Sequence, residues 1–339
     1  MGLRSTTGMI RVGVNGYGTI GKRVADAVNS MPDMELVGIG KASPNHTADA
    51  AADRGYDIYV PDGRHDRWED VGMDVAGDIH DLIDASDIIA DATPAGMGAE
   101  YRPIYEEHDT PALFQGGEGA DVADASFTAR ANYDEATDKD YVRIVSCNTT
   151  GLNRMFAPLH EEYGVDRASI TLVRCRGEHA VTSADPVTLP SHHGPDALEV
   201  IPDMGPITTM GMKVPTVRHH FHGINVELGE DVSAEEVRDL LASQSRIHVI
   251  DGDLGIDSGW ELQEFALDRG RDRMNLYENQ IFEDSITVEQ GNQLHLFQVI
   301  HRESDVVPEN VDAIRAMMGD ADAEESIELT NEVMGIGEI

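Results

Sequence analysis

Ile10-Arg-Val-Gly-Val-Asn15 followed by Gly16-Tyr-Gly-Thr-Ile-Gly21 is the stretch that decides the fold. The first six residues read as a short parallel strand, and the next six are a G-x-G-x-x-G run opening a helix whose apolar face carries Val24, Ala27 and Val28. Each glycine has a task at such a corner: Gly16 permits the tight turn, Gly18 lets backbone approach a pyrophosphate, and Gly21 lets the helix pack against the strand. A dinucleotide-binding, doubly wound α/β domain follows. A second strand, Glu35-Leu-Val-Gly-Ile-Gly40, ends where an NAD-specific site places Asp or Glu against the ribose 2′-hydroxyl. Lys41 stands there instead, so a 2′-phosphate can be accepted and NADP joins NAD as a cofactor. Further strands at Asp87–Asp91, Pro111–Phe114 and Val142–Val145 each run into small or glycine-rich loops, and Gly116 and Gly117 in the second loop would let backbone approach the cofactor.

The last of these strands ends in Ser146-Cys-Asn-Thr-Thr-Gly151, and Leu152, Met155, Phe156 and Leu159 then recur at helical spacing. Cys147 therefore sits at a strand-to-helix corner. Unsatisfied N–H groups and the positive end of the helix dipole favour thiolate there and can receive an oxyanion, as a nucleophile requires. Beyond it the texture becomes α+β, with strands expected at Ile170–Arg176, Gly211–Thr216, Gly223–Leu228, Arg246–Ile250, Ser285–Glu289 and Gln293–Ile300. A helix at Ser233–Ser243 is capped by Ser233 with Glu236, and a mostly antiparallel sheet is expected. A helix near Pro308–Met318 is expected to return to the first domain. The expected division is 9–146 with 306–339 for the dinucleotide-binding domain and 147–305 for the catalytic one.

Composition narrows the function classes. Asp and Glu number 63 against 25 Lys and Arg, a formal net charge of −38, and the acids are spread along the chain rather than gathered in a tail. Such a surface repels itself in dilute buffer and is screened in molar salt, which points to a halophile. It also excludes nucleic-acid and anionic-membrane partners, which need clustered Lys and Arg. Two cysteines, Cys147 and Cys175, imply no disulfide framework, and with no signal-like or membrane-spanning run a cytoplasmic protein is expected. Histidines gather at His192-His193 and His219-His220-Phe-His222, which supply proton acceptors for a catalytic thiol. No metal-ligand spacing accompanies them, and no metal is expected.

Asn15 to Asp26, Phe114-Gln-Gly-Gly-Glu118, Ser146 to Gly151, Leu189-Pro-Ser-His-His-Gly-Pro-Asp196 and Glu303 to Asp312 together resemble archaeal glyceraldehyde-3-phosphate dehydrogenase, the phosphorylating NAD(P)-dependent type. The resemblance spans the chain from Met9 onward. It implies reversible oxidation of glyceraldehyde 3-phosphate with orthophosphate to 1,3-bisphosphoglycerate, a step of glycolysis and gluconeogenesis, by a homotetramer. Cys147 would be the nucleophile and His220 the general base. Substrate contacts would come from Ser146, Asn148, His192 and His193, with Thr149 and Arg176 at the phosphates. Cofactor contacts would come from Thr19, Ile20, Gly117, Arg174 and Arg302. Arg302 departs from the family's Gln, Cys175 interrupts its Val-Arg-Arg, and the stretch to Leu189 is shortened. Two rival readings share parts of this pattern: semialdehyde or acyl-phosphate reductases, which differ in substrate, and a nicotinamide-sensing regulator, which should carry a basic helix pair that is not visible here.

Overall fold

The computed structural model describes residues 8–115, 117–175, 182–216, 218–319 and 321–338. The chain divides into two compact units, one formed by Met1–Ala129, Tyr133–Val145 and Val307–Met334, the other by Arg130–Asn132, Ser146–Val306 and Gly335–Ile339.

The first unit is built on strands β1 (Ile10–Asn15), β2 (Met34–Gly40), β3 (Ile58–Val60), β4 (Gly77–Asp78), β5 (Ile88–Asp91), β6 (Ala112–Phe114), β7 (Ala125–Phe127) and β8 (Tyr141–Ile144). They lie in the order β4-β3-β2-β1-β5-β6-β8-β7, and every pairing among the described residues is parallel. Parallel sheets are covered on both faces, which is why the central strands read as near-continuous apolar runs. Val12, Val14, Ile39, Ile88 and Ile89 are completely buried. The strand order turns about β1, with β2 on one side and β5 on the other, and such a switch point opens a crevice at the strands' carboxyl ends. The glycine run lies there, between β1 and the helix Gly21–Ser30. The helix Val307–Met318 belongs to this unit and is followed by another, Ala323–Met334, which the sequence reading does not include. Arg315, buried, joins the two by donating to Thr330 Oγ1 at 2.6 Å and pairs with Asp33 at 2.6 Å.

The second unit holds β9 (Val165–Cys175), β10 (Ser183–Ala184), β11 (Ile207–Val214), β12 (His219–Leu228), β13 (Ile247–Ile250), β14 (Asn279–Phe282), β15 (Thr287–Glu289) and β16 (Gln293–His301). The order is β10-β11-β9-β12-β16-β14-β13, with β15 also on β16. The sheet is mixed, with antiparallel and parallel pairs side by side. β9 runs parallel to β11 and β13 parallel to β14, while β9, β12, β16 and β14 pair antiparallel in turn. Parallel neighbours need a crossover, usually helical. Here the helices His193–Val200 and Gly259–Asp268 lie within those connections, and both are missing from the sequence reading. Against this sheet the helix Cys147–Tyr163 lays Leu152, Met155, Phe156 and Leu159, packed with Ile170, Leu172, Ile224 and Val226 into one buried cluster. That packing fixes the helix axis, and hence where its first residue points.

Candidate active site

Cys147 is the first residue of its helix, with Ser146 as N-cap: the Ser146 hydroxyl accepts the Thr149 N–H at 3.3 Å, and its carbonyl accepts the Thr150 N–H at 2.8 Å. The thiol is half-buried, and the Asn148 amide nitrogen lies 3.8 Å from its sulfur. Burial pushes the thiol up from its ordinary range, as does the Asp305 carboxylate, while Arg174, the Asn148 backbone N–H and Arg302 pull it down. Desolvation is thus the largest influence on the thiol and opposes the pull toward thiolate expected of the helix terminus. Cys175, the other cysteine, is buried and its sulfur donates to the Thr216 carbonyl at 3.0 Å.

The histidine run lies on β12 rather than in a loop, so successive side chains alternate between faces. His220 and His222 share one face. His219 takes the other and meets His301 edge to face, with ring centroids 5.3 Å apart. His222 Nε2 is 3.0 Å from Asn148 Oδ1, and its Nδ1 is 3.1 Å from Gln298 Nε2. His193, at the start of the helix His193–Val200, places Nε2 3.3 Å from the Asn148 amide nitrogen and Nδ1 3.0 Å from Ser191 Oγ. Burial holds all three rings neutral. His193 is pushed down to about 2 by burial and then by His192 and Arg174; His222 to about 3 by burial and Arg174; His220 well below its ordinary value by burial, His222 and Arg174.

His220 Nδ1 accepts the Cys175 backbone N–H at 2.7 Å. A neutral imidazole with one nitrogen accepting carries its proton on the other. At rest, therefore, His220 presents a donor at Nε2, whereas the sequence reading expected a free lone pair for a general base.

Arg174, on β9, pairs with Asp185 at 2.8 Å, and Lys213 shares that carboxylate at 2.7 Å. Arg302 follows β16, pairs with Glu303 at 2.9 Å and comes within 3.8 Å of Cys175 Sγ. Both cations are felt at Cys147, as described above. Thr149 is fully buried with its hydroxyl 3.0 Å from that of Ser146. His192 is exposed, its ring stacked on His193 at 3.9 Å between centroids. Arg176 and Gly116 lie outside the described residues. No group of three His, Cys, Asp or Glu that could hold a metal occurs among the described residues.

In the first unit the glycine loop fits a dinucleotide. Gly16 has φ +98°, and a Cβ there would strike the backbone of Ala92 and Thr93; one on Gly21 would collide with the Gly16 carbonyl. Gly18 and Gly117 face open space, the latter at φ +91°. The Thr19 carbonyl accepts from Arg23 at 2.6 Å, and Ile20 caps the helix. Lys41, half-buried, reaches the Tyr17 carbonyl at 3.4 Å, and burial lowers its ammonium below the ordinary range. The sequence reading missed Asp305 and Gln298. Gln298 had a signal: it occupies the alternating position set by Leu294, Leu296 and Ile300, where an apolar residue belongs.

The family model described as glyceraldehyde 3-phosphate dehydrogenase, C-terminal domain, matches residues 146–259. A glyceraldehyde-3-phosphate dehydrogenase of Halobacterium salinarum is 54% identical, covering 97% of this chain and 100% of that protein. The Haloarcula marismortui protein of the same name is 53% identical, covering 97% and 95%, and that of Methanococcoides burtonii 46%, covering 96% and 99%. Among solved structures, aspartate semialdehyde dehydrogenase II from Vibrio cholerae superposes with a TM-score of 0.68 over 93% of this chain and 100% of that one, at 11% identity, a likeness of fold alone.

Proposed function

The chain belongs to the glyceraldehyde-3-phosphate dehydrogenase family and is an oxidoreductase of that kind, and from that premise we propose that it oxidises glyceraldehyde 3-phosphate to 1,3-bisphosphoglycerate with Cys147 as nucleophile. The observation that carries the assignment is the Cys147 thiol at a helix N-terminus, with the Asn148 amide on its sulfur and neutral histidines behind that amide. The sulfur adds to the C1 aldehyde and its proton passes to the carbonyl oxygen, giving a hemithioacetal; Asn148 Nδ2 and the helix N–H groups hold the oxygen while it is charged. A nicotinamide dinucleotide, implied by the family, supplies the hydride acceptor. As hydride leaves C1, the hydroxyl proton goes to His220 and a thioester forms. Orthophosphate then attacks the carbonyl, and Cys147 departs as thiolate.

The base role carries a structural condition. His220 can accept at Nε2 only with its own proton on Nδ1, so the ring must part from the Cys175 N–H. Ser146, Asn148, Thr149, His192 and His193 are assigned to the substrate, and Arg174 and Arg302 to the cofactor. Gly16, Gly18, Thr19, Ile20, Gly21 and Gly117 would hold the dinucleotide, and Lys41 would admit NADP beside NAD. Dinucleotide binding is assigned to 9–146 with 306–339, catalysis to 147–305, in a cytoplasmic homotetramer. Iodoacetamide mapping tests the nucleophile: stoichiometric labelling of Cys147 should abolish turnover, and Cys175→Ser should stay active. Full activity with Cys147 alkylated would overturn the assignment.

A further inference from the structure

Behind Cys147 runs a chain of hydrogen bonds whose direction can be worked out from one end. Gln298 Nε2 lies 3.1 Å from the Gly151 carbonyl, and a carbonyl only accepts, so this edge of the Gln298 amide is its NH2. Its Oε1 correspondingly accepts from Asn279 Nδ2 at 2.8 Å, and Asn279 Nδ2 also donates to Gly151 O at 2.7 Å. The same NH2 therefore donates to His222 Nδ1 at 3.1 Å. With Nδ1 accepting in a buried neutral ring, the proton of His222 sits on Nε2, and it donates to Asn148 Oδ1 at 3.0 Å. That leaves the Asn148 NH2 facing both Cys147 Sγ at 3.8 Å and His193 Nε2 at 3.3 Å.

The far end agrees independently. His193 accepts at Nε2, so Nδ1–H donates to Ser191 Oγ at 3.0 Å; that hydroxyl donates to Thr209 Oγ1 at 2.7 Å, and Thr209 donates to the Ser191 carbonyl at 3.0 Å. The chain thus ends on a second group that only accepts. Turning Asn148 over would oppose two donors at Gln298 and His222 and leave buried polar groups unpaired. Gly151 makes the close approach possible, because a Cβ there would come within 2.8 Å of Ile300 Cγ2 and 3.3 Å of Gln298 Nε2.

We propose that Gln298 and His222 are positioning residues that lock the Asn148 amide with its NH2 toward Cys147, so that the sulfur and the oxygen formed beside it always meet a donor. This rests on the reading of Cys147 as nucleophile. The thiol itself is faced by Asp305, Arg174 and Arg302, whose charges the lock leaves in place.

The test uses the full chain at fixed high salt, with iodoacetamide as probe and adducts mapped to Cys147. His222→Phe and Gln298→Met keep volume but cannot donate; in each, the pH midpoint of Cys147 alkylation should rise by roughly one unit, about tenfold slower labelling at a given pH below it. kcat should fall by about 10–100-fold with KM little changed, and His222→Gln, which can still donate to Asn148, should recover most of both. An unchanged alkylation midpoint in a folded His222→Phe protein overturns the proposal. A direct reading needs no variant to fold: in the wild type, ¹⁵N-histidine spectra should show His222 protonated at Nε2 and His193 at Nδ1 from pH 5 to 8, and the opposite tautomer at His222 refutes the lock. Activity surviving complete alkylation of Cys147 would sink the nucleophile assignment while leaving the tautomer result standing, so the two failures are distinguishable.

Discussion

Replacing His220 by Asn, and in parallel by Gln, separates the two things its ring could do. The ring's Nδ1 is bonded to the Cys175 N–H at 2.7 Å, so an apolar replacement would orphan a buried backbone donor and cost about 1–3 kcal/mol of stability. Asn reaches about as far as Nδ1, and its Oδ1 can take over that N–H; the fold should stand while everything at Nε2 is lost. Gln reaches about as far as Nε2 and can donate there but cannot take up a proton. If His220 is the base, both variants lose turnover by about 10²–10⁴, or about 2.7–5.4 kcal/mol of barrier. If it serves through the donor that its resting tautomer presents, Asn loses about 10²–10³ while Gln keeps at least tenfold more activity than Asn. Single-turnover formation of reduced cofactor, read beside cofactor binding and thermal melting, reports the chemical step apart from folding. Wild-type turnover in a folded His220→Asn protein would refute both roles.

Lys41→Asp should weaken NADP by about 1.5–3 kcal/mol and leave NAD unchanged or improved; kcat/KM for both cofactors at fixed high salt decides it, and an unmoved NADP-to-NAD ratio would leave Lys41 a solvated residue. The net charge of −38 predicts loss of structure in dilute buffer and recovery in molar KCl, followed by circular dichroism across a salt series; an intact fold at low salt would refute the halophilic reading. Acid should destabilise the second unit through its buried neutral histidines. His193 and His222 hold folded values of about 2 and about 3, below the ordinary histidine value, so below pH of about 6.5 the unfolded chain binds protons that the folded one refuses. Stability therefore rises with pH through that window and falls by up to about 1.4 kcal/mol per unit for each ring as pH drops toward 3. Melting temperature against pH checks it, with His193→Gln expected to flatten the slope.

The sequence by itself determined what depends on neighbours a few residues away. The glycine spacing after β1, the stripe from Leu152 to Leu159 and the Ser233–Glu236 capping box each follow from contacts within a turn or two, and each stands in the structure. Only the tertiary structure decided what depends on distant partners. The parallel pairs of the second sheet rest on two crossover helices whose short apolar stretches carry little pattern of their own. The proton on Cys147 is governed chiefly by desolvation and by Asp305 and Arg174, neither of them local in sequence, and less by the adjacent Asn148 N–H. The tautomers are more remote still: His222 meets Asn148, 74 positions back, and Gln298, 76 positions on. A side chain's chemistry is set by which groups replace its water, and a chain read in order names the residues without naming those groups.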